Sequence, residues 1–128
     1  MPESDEERKR SEDQKAQVLQ HQYNRYQETM TELQTQLSTF VSQIQEHQLV
    51  DKSLTAIPPQ SRNNRKCFKM IGGVLVSKSV DDVIKLLDGE IKGLEAQQKK
   101  TEKVLLDTRK EMESWMKTNN VKIVRGAN

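Results

Sequence analysis

Apolar residues repeat along the first part of the chain with the period of a coiled-coil helix. From Leu19 to Ile44 they are separated by alternating steps of four and three residues, which places them on one seam of a helix. His47 takes the next seam position, and we expect the spacing to resume at Val50 after a three-residue slip. A Pro-Pro pair then ends the pattern, which predicts a helix over residues 14–57. The seam residues are Leu19, Tyr23, Tyr26, Met30, Leu33, Leu37, Phe40 and Ile44.

A second coiled-coil pattern occupies the last third of the chain. Ser79 can cap a helix, and Asp82 three residues later suits the positive end of the helix dipole. From Val80 to Trp115 the seam residues are again separated by alternating steps of four and three residues. An Asn-Asn pair from Asn119 is expected to end the helix. We therefore predict a helix over residues 80–119. Its seam residues are Val80, Ile84, Leu87, Ile91, Leu94, Gln98, Thr101, Leu105, Thr108, Met112 and Trp115.

A Gly-Gly pair between two apolar, β-branched runs predicts a β-hairpin over residues 65–78. The primed two-residue turns need positive φ at both central positions, which Gly72 and Gly73 supply. Ile71 would then face Val74 across the turn. Alternation places Cys67, Ile71, Val74 and Val76 on one face and Phe68, Met70 and Leu75 on the other. Because both faces are apolar and an isolated hairpin is marginal in water, this hairpin needs other strands.

The elements predict a mainly α protein in which two long helices fold back as an antiparallel coiled coil with the β-hairpin at the bend. The domain would span residues 14–124. Residues 1–13 read as a charged, disordered tail and residues 125–128 as a second tail. At 1.5 Å per residue, each helix would place its far end roughly 60 Å from the hairpin.

Apolar side chains are expected to gather at this far tip, where they could contact another protein or close the end of the coil. We favour closure for Leu19, Met112 and Trp115, which lie on the seam. Contact is favoured for the residues off the seam, which are Val18, Met116, Val121, Ile123 and Val124. A methionine suits promiscuous binding because its side chain adapts to varied shapes. The candidate tip residues are Val18, Leu19, Tyr23, Trp115, Met116, Val121, Ile123 and Val124.

Composition argues against a compact enzyme. The chain of 128 residues is 33% hydrophobic, below the usual share of about 45–50% for globular domains. With few aromatics, two histidines and one cysteine, we expect no catalytic residue, cofactor or metal site. The net charge of +2 creates no field that would attract nucleic acid or a membrane. The lone Cys67, with no apolar run of about 20 residues and no signal peptide, leads us to expect a cytoplasmic protein.

Individual polar residues have two interpretations each. His47 could ligate a metal, but the opposite stretch offers only the carboxylate of Glu90, so a polar seam residue that fixes the register is favoured. Cys67 is better explained as a small buried residue than as a reactive thiol. A basic cluster could contact nucleic acid, or it could steer subunit assembly. It comprises Arg62, Arg65, Lys66 and Lys69.

The central run from Arg65 to Val76, with a helix on either side, closely resembles the β-class prefoldin subunits. The resemblance covers about residues 14–124 and is most specific in that run. It implies a hexamer of two α-class and four β-class subunits, whose hairpins form β-barrels from which the coiled coils hang. It also implies capture of unfolded proteins, notably actin and tubulin, without ATP, and their transfer to the cytosolic chaperonin.

Two functions from different classes follow. The first is a co-chaperone subunit that binds unfolded protein at its tip and assembles through its hairpin. The alternative is a structural coiled-coil adaptor in another prefoldin-like assembly, and nucleic-acid binding is a distant third. An adaptor would not suppress aggregation of an unfolded client, whereas a co-chaperone would.

Overall fold

The computed structural model describes residues 4–62 and 65–123. Its elements are α1 (Asp5–Thr55), α2 (Pro59–Arg62), β1 (Lys66–Ile71), β2 (Val74–Ser79) and α3 (Val80–Thr118). Two long helices with an antiparallel β-hairpin between them confirm the predicted fold class. Contacts divide the chain into two compact units. The first unit holds the residues up to Thr35 and from Glu102 onward, and the second unit holds Gln36–Thr101.

Helix α1 begins at Asp5, where the sequence led us to expect a tail up to residue 13. The Ser4 hydroxyl accepts a hydrogen bond from the backbone N–H of Glu7 at 3.2 Å, which caps the helix. The first turn is acidic and therefore suits the positive end of the helix dipole. Residues 5–13 are thus helical, whereas residues 1–3 and the whole of the expected tail at 125–128 lie outside the described residues, as does Val124.

Helix α1 ends at Thr55, two residues before the expected boundary, and an arginine closes it. The Arg62 guanidinium donates from Nη2 to the Thr55 carbonyl at 2.7 Å and from Nε to the Ile57 carbonyl at 2.8 Å. These bonds satisfy two carbonyls that the helix end leaves without partners. Pro59 opens the short α2, which is a position where proline is tolerated.

The predicted seams pair α1 with α3 within each unit. In the first unit the Tyr26 and Trp115 rings meet, and in the second unit Ile44, Leu87 and Ile91 are buried. All predicted seam residues except Val50 are buried or partly buried. In the second unit the paired residues advance along α1 as they recede along α3, which is the antiparallel arrangement. The polar pairs are His47 with Glu90 and Asp51 with Asp88 and, beyond the end of α1, Arg62 of α2 with Asp81.

The expected slip of the seam at Val50 is wrong. Val50 is 48% exposed, and the seam passes through the partly buried Asp51, four residues after His47. Its Oδ1 is buried without a hydrogen-bond partner among the described residues. Burial raises the pKa of Asp51, and the neighbouring carboxylate of Asp88 raises it further. The repeat is therefore uninterrupted, but a carboxyl occupies one of its positions.

The hairpin has the predicted register. Ile71 pairs with Val74, and Met70 pairs with Leu75. Gly72 and Gly73 have φ values of 54° and 82°, the positive pair that a type I′ turn requires. The two-residue turn therefore fixes which side chains share each face of the hairpin.

Both ends of α3 are defined by local hydrogen bonds. The Ser79 hydroxyl accepts from the backbone N–H of Asp82 at 3.2 Å, which confirms the predicted cap. At the other end Asn120 has a φ of 52°, and the Val121 N–H donates to the Met116 carbonyl at 2.9 Å. This is a Schellman motif, which reverses the chain after the helix.

Candidate functional site

The outer face of the hairpin is apolar and exposed. Phe68, Met70 and Leu75 are 67%, 65% and 59% exposed, respectively. Ile71 and Val74, beside the turn, are also exposed. Each strand pairs only with the other in the described part of the chain, so both outer edges present free backbone groups. This combination of an apolar face and open edges is suited to pairing with further strands.

The inner face of the hairpin is partly covered. Cys67 and Val76 are partly buried, as are the lysines at 69 and 78 on the same face. Ile71 and Val74 alternate onto this face but project beyond the covered part. The partial burial of Cys67 fits a small packed residue, and its thiol is free. The two faces therefore differ in accessibility although both are apolar in sequence.

Glu90 of α3 joins the hairpin to α1. Its Oε1 accepts a hydrogen bond from the Lys69 ammonium at 2.7 Å, and its Oε2 lies 2.8 Å from Nε2 of His47. The Lys69 hydrogen bond, with a smaller contribution from His47, holds the pKa of Glu90 below its usual range although burial opposes this. His47 is thus a polar seam residue paired across the coiled coil. The described residues contain no group of three or more potential metal ligands.

The basic cluster does not form a single patch. Arg62 turns inward to cap α1 and lies 4.0 Å from the Asp81 carboxylate. Lys69 is engaged with Glu90. Arg65 and Lys66 are exposed. Two of the four cations therefore have intramolecular partners.

An apolar groove lies in the first unit between α1 and the segment that follows α3. It has a volume of about 450 Å³, and a neighbouring groove of about 460 Å³ adjoins Val18 and Leu19. Val18 and Ile123 are exposed, whereas Trp115 and Met116 are partly buried. The residues lining the first groove are Ala16, Leu19, Gln20, Tyr23, Val121, Lys122 and Ile123.

The structure thus brings together half of the predicted tip residues. Leu19, Tyr23, Val121 and Ile123 share the groove, whereas Trp115 packs on Tyr26 in the seam. Val124 lies outside the described residues.

Sequence reasoning missed other members of these sites. Ala16 and Gln20 lie on the same helical face as Leu19 and Tyr23, so the helical period could have identified them. The contact of Lys69 with Glu90 had no comparable signal, because it depends on how the hairpin folds against α3.

These features define a class of protein: a coiled coil whose helices are joined by an exposed, apolar β-hairpin. The chain belongs to the family described as Prefoldin subunit, which matches residues 17–125.

Individual relatives extend this match over most of the chain. Prefoldin subunit 2 of Saccharomyces cerevisiae is 34% identical over 88% of this chain and 98% of its own length. The probable prefoldin subunit 2 of Schizosaccharomyces pombe is 32% identical, over 85% and 92%. Prefoldin subunit 2 of Arabidopsis thaliana is 27% identical, over 85% and 71%.

Membership of this family sets the general role of the chain. Prefoldins are chaperones, so the chain is a prefoldin co-chaperone subunit that assembles with other prefoldin subunits. No helix in the described ranges is both long and apolar enough to cross a membrane.

Proposed function

We propose that the chain captures unfolded proteins as one arm of a cytoplasmic, ATP-independent hexamer of two α-class and four β-class subunits. It holds a client in the apolar groove of the first unit and passes unfolded actin and tubulin to the cytosolic chaperonin. The observation that carries this proposal is the groove in which Leu19, Tyr23, Val121 and Ile123 meet, found in a subunit of a chaperone family.

The exposed hairpin face supports assembly of this hexamer. Phe68, Met70 and Leu75 leave large apolar surfaces in water, and burial is worth about 25 cal/mol for each Å² of apolar surface removed from water. Strands of neighbouring subunits would cover this face and satisfy the open edges. Assembly and client capture then rest on different residues, the hairpin for assembly and the groove for capture.

The chemistry of the groove supports binding to varied clients. Leu19, Tyr23 and Val121 supply apolar contact, while Gln20 and Lys122 supply polar groups at its border. One wall of the groove is the segment after α3, which the Schellman motif positions. A short segment of this kind can adjust to different partners. Several arms binding one client would compensate for modest affinity at each.

A client-protection assay tests the proposal. The full chain is assembled with the other prefoldin subunits, chemically unfolded actin is diluted into the complex without nucleotide, and light scattering is recorded. We expect suppression of aggregation, followed by release of native actin when chaperonin and ATP are added. A complex that assembles but leaves aggregation unchanged would instead support the adaptor function.

A further inference from the structure

Three charged or ionisable groups from three elements meet in the second unit. Glu90 of α3 uses one carboxylate oxygen for Lys69 of β1, at 2.7 Å, and the other for His47 of α1, at 2.8 Å. The side chains of His47, Lys69 and Glu90 are 26%, 34% and 41% exposed. The three side chains are therefore partly sheltered from water, which strengthens the two contacts relative to fully exposed ion pairs.

His47 makes two polar contacts through its ring. Its Nδ1 lies 2.6 Å from the Gln43 carbonyl oxygen and its Nε2 lies 2.8 Å from Oε2 of Glu90. The contact with Gln43 lies within α1 and fixes the orientation of the ring, so that Nε2 is presented to Glu90 of α3.

We propose that Glu90 is a positioning residue for subunit assembly, which holds the hairpin against the coiled coil by binding both Lys69 and His47. We call these three residues the clamp. Lys69 pairs with Val76 in the hairpin, so the clamp fixes the inner face and thereby directs the outer face towards a partner subunit. This inference rests on the proposed role of the hairpin in assembly.

Substitutions in the assembled complex test the positioning role. We expect Glu90→Gln to weaken association of the full chain with the other subunits by about two- to fivefold, the range for a partly exposed charged contact. Glu95→Gln, an exposed glutamate on the same helix with no partner among the described residues, is the matched control. Lys69→Met should weaken association similarly, and the Lys69→Met/Glu90→Gln pair by less than the product of the two effects.

A charge exchange separates positioning from a merely structural role. Lys69→Glu/Glu90→Lys keeps an oppositely charged pair at the two positions, so it should associate with the other subunits more strongly than Lys69→Glu alone or Glu90→Lys alone. Two results would overturn the proposal: Glu90→Gln associating as Glu95→Gln does, or the exchanged pair associating no better than either single variant. If either occurred while client protection persisted, the proposed function would stand and the clamp would not.

Discussion

The rings of Tyr26 and Trp115 lie with their centroids 5.5 Å apart and their planes inclined by 51°, joining α1 to α3 in the first unit. Such a tilted pair contributes about 0.5–1.5 kcal/mol beyond the burial of its area. Beside it, the Gln27 amide approaches the sulfur of the buried Met112 at 3.8 Å. The pair is thus part of the seam that holds this unit together.

Trp115→Ala should destabilise the chain by about 2 kcal/mol, because it removes a large, partly buried seam side chain and its aromatic partner contact. Val18→Ala, at a position that is 67% exposed, should change the stability by less than about 0.5 kcal/mol. Thermal unfolding followed by circular dichroism gives both values. Equal shifts in melting temperature for the two variants would contradict the seam assignment.

Gly73→Val should impair assembly while leaving helix content intact. Gly73 has a φ of 82°, and a Cβ there would meet no atom within 4 Å, so the cost is backbone strain rather than a clash. We expect this strain to cost about 1–2 kcal/mol of stability in the hairpin. Gly72→Asn is the control, since asparagine tolerates a φ near 54°. Analytical ultracentrifugation of each variant mixed with the other subunits measures assembly. If the Gly73→Val variant assembled as the wild type does, the assembly surface would lie elsewhere.

Asp51→Asn should stabilise the chain at neutral pH. Burial and Asp88 raise the pKa of Asp51, so the folded state favours the protonated carboxyl and stability falls as the pH rises through the raised pKa. The gain should be about 0.5 kcal/mol near pH 7 and should vanish near pH 3, below the ordinary pKa of aspartate. Asp107→Asn, at an exposed position of α3, is the control in thermal unfolding. An equal gain at both pH values would show that charge is not the cause.

Local patterns predicted most of the fold. The alternating steps from Leu19 to Ile44 identified the α1 seam, and Gly72-Gly73 fixed the hairpin register, because both depend on residues close in sequence. The strongly charged residues before Gln14 predict a tail, whereas Ser4 caps a helix that begins at Asp5. The seam position at Asp51 carries no apolar residue, so the hydrophobic pattern alone does not predict it.

Contacts between elements could not be predicted in the same way. The Lys69 contact with Glu90 and the Arg62 bond to Thr55 depend on how the hairpin and α2 fold against the long helices. The sequence predicted part of the groove, because it identified the tip residues. It did not predict the position of Val121 in the groove wall, because that position depends on the Schellman motif. The positive φ of this motif falls on Asn120, which the sequence indicated only as the end of a helix.

The central claim is that the groove captures clients while the hairpin carries assembly. Val18→Ser/Ile123→Ser removes two exposed apolar side chains beside the grooves, and Val104→Ser/Leu106→Ser removes two from exposed positions elsewhere on α3. Each pair should cost little stability, because all four positions are exposed.

The most direct measurement is aggregation of diluted, unfolded actin in the presence of hexamers containing each double variant. Both variants should assemble normally. We predict that Val18→Ser/Ile123→Ser reduces protection in part, since other arms still bind, and that Val104→Ser/Leu106→Ser protects like the wild type. Full protection by the Val18→Ser/Ile123→Ser hexamer would contradict the assignment of the groove as a client site.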